Sequence, residues 1–359
     1  MTSLSSRRAS RVATAIAGFA IAALALAGCA SGSDTPAAES SGDAAAGFGD
    51  LTVQLSWIKN EEFAGEFFAD SEGFYTDAGF DSVTLVPGPS TGAAELISGS
   101  ADVALSDAVS IGSVVASEGA PLKIIGTTYQ KNPFTVLSLK DGGDIATPED
   151  LIGKKIGVQD SNTALFKALL AANGIEESEL TIVPVQYDPA PLINGEVDGF
   201  IAYLTNEAIT VAASGVETTN LPFADNGLPF VAETLTVTDD AIANDREKLK
   251  AFLVAEIKGW TMAVNDPEAG AKLAVEDYGK DLDLNLENSI AGATEQAEAL
   301  VVSDETAENG LFTISEALQS ATIKSLAGAG ITLEAADLFD LSLLAEVYEE
   351  NPDLIAYAG

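Results

Sequence analysis

The sequence predicts an α/β protein of two similarly built lobes, each a largely parallel sheet flanked by helices, with a helical C-terminal tail. Three observations carry this expectation. From Leu51 to about Glu207, short apolar strands alternate with helical segments, the pattern of β-α-β units. A short segment also recurs: Leu96-Ile97-Ser98-Gly99-Ser100-Ala101-Asp102-Val103-Ala104-Leu105 returns as Leu192-Ile193-Asn194-Gly195-Glu196-Val197-Asp198-Gly199-Phe200-Ile201. Each copy reads as a helix end, a Gly turn and a strand. After about Glu233 helical periodicity takes over.

The elements follow in order. Leu51–Leu55 alternates at period two and reads as the first strand. Asn60 is placed to cap the next helix, with Glu61 and Glu62 in its first turn, where the helix dipole favours acids. Phe63, Phe67 and Ser71 share a face, and Gly73 closes the helix. Strand Val83–Val86, a helix over about Thr91–Ser98, strand Val103–Leu105, helix Ala108–Ser117 and strand Leu122–Gly126 come next. The pattern restarts at Thr147-Pro148-Glu149-Asp150, a helix start with Thr as N-cap and Pro at the first position. Strand Lys155–Val158, helix Thr163–Asn173, strand Thr181–Val185 and a helix from Asp188-Pro189 follow. Leu235–Val237 reads as a strand. Asp245–Val264 reads as a helix with Leu249, Phe252, Leu253, Ile257 and Trp260 at helical spacing, a core stripe. Ile314–Ala327 and Leu341–Tyr348 are mostly helical, and the tail is expected to pack back on the first lobe. Crossings between lobes are expected near Leu137–Asp144 and Glu233–Thr238. Lobe 1 then holds 51–138 plus about 236–359, and lobe 2 holds 139–235.

Residues 1–28 read as a lipoprotein signal peptide. Arg7, Arg8 and Arg11 precede the uncharged run Val12–Ala27, which falls short of the ~20 apolar residues a membrane-spanning helix needs. The run ends Leu26-Ala27-Gly28-Cys29 and resembles a bacterial lipobox, which implies lipid on the Cys29 sulfur. Residues 29–50 are rich in Ser, Gly, Ala and acids and read as a flexible tether. The expected location is the extracytoplasmic face of the cell membrane, with a monomeric domain held there by lipid.

Composition excludes several chemistries. The chain has 359 residues, 55 acidic and 17 basic, for a net charge of −38. Such a surface repels phosphate backbones, so no nucleic-acid partner is expected. The chain has no histidine and a single cysteine, which removes histidine acid–base catalysis, histidine triads and histidine-ligated zinc. No cofactor and no metal are expected. Glu61 and Glu62 look superficially like a glycosidase pair. As neighbours in a first turn they diverge by about 100° and cannot flank one bond.

Several segments in fixed order resemble a known family. They are Leu55-Ser56-Trp57-Ile58-Lys59-Asn60-Glu61-Glu62-Phe63-Ala64-Gly65-Glu66-Phe67-Phe68-Ala69 with Glu72-Gly73-Phe74-Tyr75, and the turn Gly99–Asp102. Leu151-x-Gly153-Lys154-Lys155-Ile156-Gly157-Val158 and Gly195–Glu207 complete the set. The resemblance is to substrate-binding lipoproteins of ABC importers of the nitrate, sulfonate and thiamine-pyrimidine-precursor type. It covers Leu51 to about Glu207 well and the tail only generally. It implies a type II periplasmic-binding-protein fold, no enzymatic activity, and ABC permease and ATPase subunits as partners.

The Trp57 segment and the Asn206-Glu207 pair look most like the thiamine-pyrimidine and flavin-type branch. The implied ligand is a flat nitrogen heterocycle, a pyrimidine precursor of thiamine first, with riboflavin, sulfonate or nitrate as alternatives. Trp57, Phe63, Tyr129 and Tyr203 would supply stacking faces, and Asn60, Gln130, Asn206 and Glu207 polar edges. The loops Pro87–Gly92 and Gln159–Thr163 run from strands into helix N-termini. Ser90, Thr91, Asp160, Ser161 and Asn162 there would either meet the ligand or simply cap. Asp107 would face the cleft or cap the next helix. Relatives of this fold include a eukaryotic pyrimidine synthase that consumes one of its own histidines and carries a cysteine-rich iron motif, and this chain has neither.

Overall fold

The computed structural model describes residues 47–357. The expected signal peptide, most of the expected tether and Cys29 lie outside the described residues. Strands β1 (Gly49–Gln54), β2 (Phe80–Val86), β3 (Val103–Asp107), β4 (Leu122–Tyr129) and β10 (Ala232–Thr238) form one sheet in the order β2-β1-β3-β10-β4. Strands β5 (Phe134–Leu139), β6 (Lys155–Val158), β7 (Thr181–Pro184), β8 (Gly199–Tyr203) and β9 (Thr218–Pro222) form the other in the order β7-β6-β8-β5-β9. The two orders are the same pattern. In each sheet the fourth strand, β10 or β5, runs antiparallel to both neighbours, while the pairs beside it are parallel.

The chain passes between sheets at 130–133 and returns at 223–231, each a little ahead of the span expected from sequence. Strands β5 and β9 lie where the pattern predicted none. β9 is short, ends in Pro222 and buries only Leu221, so it carries little apolar signal. The first strand begins at Gly49 rather than Leu51, because Phe48 packs on Phe80 with ring centroids 5.7 Å apart. The start at Thr147 yields a single 3-10 turn, Pro148–Leu151, and no longer helix.

The repeated segment is a structural repeat. Gly99 and Gly195 both adopt φ 71°, the left-handed region that glycine enters without strain. Asp102 accepts the Thr52 N–H at 2.8 Å, and Asp198 accepts the Lys155 N–H at 2.8 Å. In return the Asp102 N–H donates to the Thr52 carbonyl and the Asp198 N–H to the Lys155 carbonyl. The corresponding aspartate clamps β1 in one sheet and β6 in the other, the second position in each strand order.

The long helix Arg246–Asn265 packs against helix Ala64–Ser71 beside the first sheet. Two glycines set their separation. A Cβ on Gly65 would lie 2.2 Å from the Trp260 indole, and one on Gly259 would lie 2.1 Å from the Gly65 carbonyl. Among the described residues no helix is long and apolar enough to cross a membrane.

Gly259→Ala tests that close approach. Alanine gains ~1 kcal/mol of helix propensity, but the opposing atom is backbone and cannot move aside. The expected net loss is about 1–3 kcal/mol, read from urea denaturation; an unchanged or raised midpoint would contradict the packing.

Candidate ligand-binding site

Parallel strands leave their loops at their C-terminal ends, and open α/β sheets place ligands there. A cleft of about 470 Å³ opens at those ends. The first sheet contributes Ser56 and Trp57 after β1, Ser90 and Thr91 after β2, and Ser106 and Asp107 at the end of β3. The second contributes Ser161 and Asn162 after β6, Ile201–Tyr203 at the end of β8, and Glu207. The antiparallel strands begin where their neighbours end, so Phe134 of β5 and Glu233 of β10 enter the same cleft.

The loops after β1 and β2 are tied together. The Gly88 N–H donates to the Trp57 carbonyl at 2.7 Å, and the Ser90 N–H to the Ser56 carbonyl at 2.9 Å. Ser90 Oγ accepts the Gly92 N–H and donates to Glu95, both at 3.0 Å, so Ser90 braces its own loop as well as lining the cleft. Asp107 also has two roles. It accepts the N–H groups of Val109 and Ser110 at 2.8 and 2.9 Å as a helix cap, and it stands in the cleft wall. Ser106 and Ser161 differ: their hydroxyl oxygens are buried without a partner, one from each sheet.

Glu233 is the centre of the polar network. Ser56 Oγ lies 3.1 and 3.0 Å from its two carboxyl oxygens and 3.5 Å from Glu62. The Tyr203 hydroxyl reaches over from the second sheet and donates to Glu233 at 2.9 Å. Glu233 sits at φ 48°, where the register of β10 slips against β3 between Ala232 and Thr234. A left-handed glutamate is strained, by about 1–3 kcal/mol, and such strain concentrates at functional sites.

Burial dominates the electrostatics. It pushes Glu233 up to about 7, against the hydrogen bonds from Glu62, Tyr203 and Ser56. It pushes Glu207 up to about 7 although the Tyr203 N–H donates to that carboxyl at 2.9 Å and Trp57 also hydrogen-bonds it. Glu61 is likewise raised to about 7, and Glu62 rises well above the carboxylate range because Glu233 adds repulsion to burial. Behind the cleft, burial raises Glu256 to about 8, and it takes a hydrogen bond from Tyr75; burial, with repulsion from Glu256, also raises Glu66 well above the carboxylate range.

Of the residues expected from sequence, the cleft gathers Trp57, Ser90, Thr91, Asp107, Ser161, Asn162, Tyr203 and Glu207. It does not gather the other six. Phe63 is core, edge-on to Phe67 at 6.4 Å. Tyr129 is core and donates to Gln296 at 2.8 Å. Asn60 is fully buried outside the cleft and its side chain does not cap the following turn. Gln130 donates to the Thr313 carbonyl at 2.8 Å, tying the crossing to the tail. Asp160 is exposed. Asn206 lines a neighbouring groove of about 1050 Å³ that shares Trp57 and Glu207 with the cleft. Sequence reasoning missed Ser56, Ser106, Phe134, Glu62 and Glu233. Glu62, expected as a first-turn acid and set aside as half of a glycosidase pair, faces the cleft, while Glu61 turns towards Ser289.

The fold and the cleft define a protein of the periplasmic-binding-protein architecture. A sequence model described as NMT1/THI5 like matches residues 60–270, and the chain belongs to that family. The riboflavin-binding protein RibY of Chloroflexus aurantiacus is 25% identical over 241 residues, 63% of this chain and 66% of that protein. The chain thus matches just under two thirds of that relative's length. Among solved structures, the periplasmic nitrate-binding protein NrtA of Synechocystis PCC 6803 has TM-score 0.60 at 15% identity, covering 85% of this chain and 90% of that one. The periplasmic aliphatic sulphonate binding protein SsuA of Escherichia coli has TM-score 0.58 at 14% identity, with 77% and 90% covered.

The raised carboxyls set a pH dependence. Each keeps its proton in the folded chain and loses it in the unfolded chain near the ordinary value of 4.5, so folding takes up protons at neutral pH. Their stabilisation is complete below about 4.5 and is lost as pH rises through about 7 to 8. The melting temperature should fall between about pH 5 and pH 8, and Glu256→Gln should flatten that slope. A melting temperature that rises over this window would refute the assignment.

Proposed function

We propose that this protein is the extracytoplasmic solute-binding component of an ABC importer and that it captures a small nitrogen heterocycle, a pyrimidine precursor of thiamine before others. The observation that carries the ligand class is the set of side chains that line the cleft. Glu62, Asp107, Glu207 and Glu233 line it, and no Lys or Arg is among the lining residues. Such a site offers carboxyl acceptors to N–H groups and no cation to hold nitrate or sulfonate. Trp57, Phe134 and Tyr203 offer aromatic faces for a flat ring. Family membership and the riboflavin-binding relative support a heterocycle.

Riboflavin is the second reading. The groove beyond Trp57 and Glu207 favours it, since a ligand larger than one pyrimidine ring would need that room. In both readings the two sheets are the cores of two lobes that close by hinge motion at 130–133 and 223–231. The first sheet takes the C-terminal helices with it. The closed form is offered to permease and ATPase subunits, and lipid on Cys29 keeps the monomer at the membrane. The protein acts without catalysis.

A thermal-shift screen against pyrimidines, flavins, sulfonates and nitrate checks the ligand class, because a tight ligand raises the melting temperature by mass action. A shift with an aminopyrimidine or flavin is expected. A shift with a sulfonate alone would overturn the assignment. Trp57→Ala should weaken binding roughly tenfold or more, the scale of a lost stacking contact plus its burial; unchanged affinity would remove Trp57 from the site.

A further inference from the structure

We propose that the Glu62–Glu233 pair stores one proton for the ligand and passes it to a ring nitrogen, so that the ligand is held as its conjugate acid between two carboxylates. The ligand class this selects is the amidine-type heterocycle, with an unprotonated ring nitrogen beside an exocyclic amino group. The inference rests on the binding-protein reading above and sharpens its ligand.

The argument starts from geometry. Glu62 comes from the turn Glu61–Phe63 and Glu233 from the start of β10, and both line the cleft. Ser56 Oγ is within hydrogen-bond distance of both. It has a single proton and can serve only one of them. The Tyr203 hydroxyl donates a hydrogen bond to Glu233 and keeps its proton. Two carboxyls this close cannot both be ionised without a cation, so one proton is shared. The groups that face the pair do not supply the cation. They are Glu61 beside Glu62, Glu66 on the helix Ala64–Ser71, Asp107 on β3, Tyr129 on β4, and Tyr203 and Glu207 from β8 and the helix after it. All are acids or phenols. Positive charge at this point must therefore arrive with the ligand or be made on it.

A second observation marks this place for a ligand. Ser106 is 3% exposed, lines the same cleft and has an unpartnered hydroxyl, and Ser161 presents another from the second sheet. These two groups can meet ring edges that the carboxylates do not reach.

The transfer balances. The shared proton leaves a carboxyl oxygen, the lone pair of the ring nitrogen takes it, and a new N–H forms. The carboxyl becomes a carboxylate, the exocyclic N–H donates to its partner, and nothing is oxidised. One net negative charge is present before and after, so the buried charge does not grow. A ligand without a basic ring nitrogen leaves the shared proton in place and gains neither charge-assisted bond.

The test uses 4-amino-5-hydroxymethyl-2-methylpyrimidine as the probe, titrated into the wild-type protein at about pH 8, above the range in which aminopyrimidines protonate in water. The ultraviolet difference spectrum of the complex should be that of the protonated pyrimidine. Glu62→Gln and Glu233→Gln should each weaken binding roughly tenfold or more and return the bound spectrum to the neutral form. Tight binding of a neutral pyrimidine to the wild type would overturn proton transfer and leave the transport reading standing. A protonated spectrum that survives in both variants would overturn the assignment to this pair. No binding of the pyrimidine, with a thermal shift from a sulfonate, would overturn both readings together.

Discussion

A chain that visits two sheets and returns must lay one strand against the grain of each. That constraint organises this molecule. Parallel strands all point their C-terminal ends at one edge, and the returning strand begins at that edge. β5 and β10 therefore deliver their first residues to the place where the loops of the other strands gather. Phe134 opposes Tyr203, and Ala232 opposes Asp107, in the same relation within each sheet. The cleft is assembled from two copies of one arrangement, and only the side chains differ.

Its contents are unusual in energetic terms. Buried carboxyls normally meet arginine or lysine, and an unpaired buried charge costs several kcal/mol. Here they meet hydroxyls, backbone N–H groups and one another. The molecule avoids the cost by keeping protons on these acids, which makes the charge of the cleft adjustable at neutral pH. The acidic surface repels other anions.

Much of the fold was legible in the sequence because it is local. The strands of the β-α units, the Gly turns and the repeated aspartate depend on residues a few positions apart, and the paired clamps at Asp102 and Asp198 bear out the repeat. The returning strands depend on partners far away in the chain, and β5 and β9 escaped notice. The site divides along the same line. Residues at strand ends, such as Trp57, Tyr203 and Glu207, are legible by position, and they line the cleft. Tyr129 was misplaced because β4 is buried on both faces and its alternation does not show which face meets the cleft. Glu233 was missed because a bulge, not a periodicity, aims it.

That bulge has a consequence for how the chain can change. Glycine at position 233 would relieve the left-handed strain and remove a buried acid, and would leave the Ser56 and Tyr203 hydroxyls without their acceptor. It would also strip the cleft of the carboxyl that Ser56 and Tyr203 converge on. Position 233 therefore sets backbone ease against the polar network of the cleft.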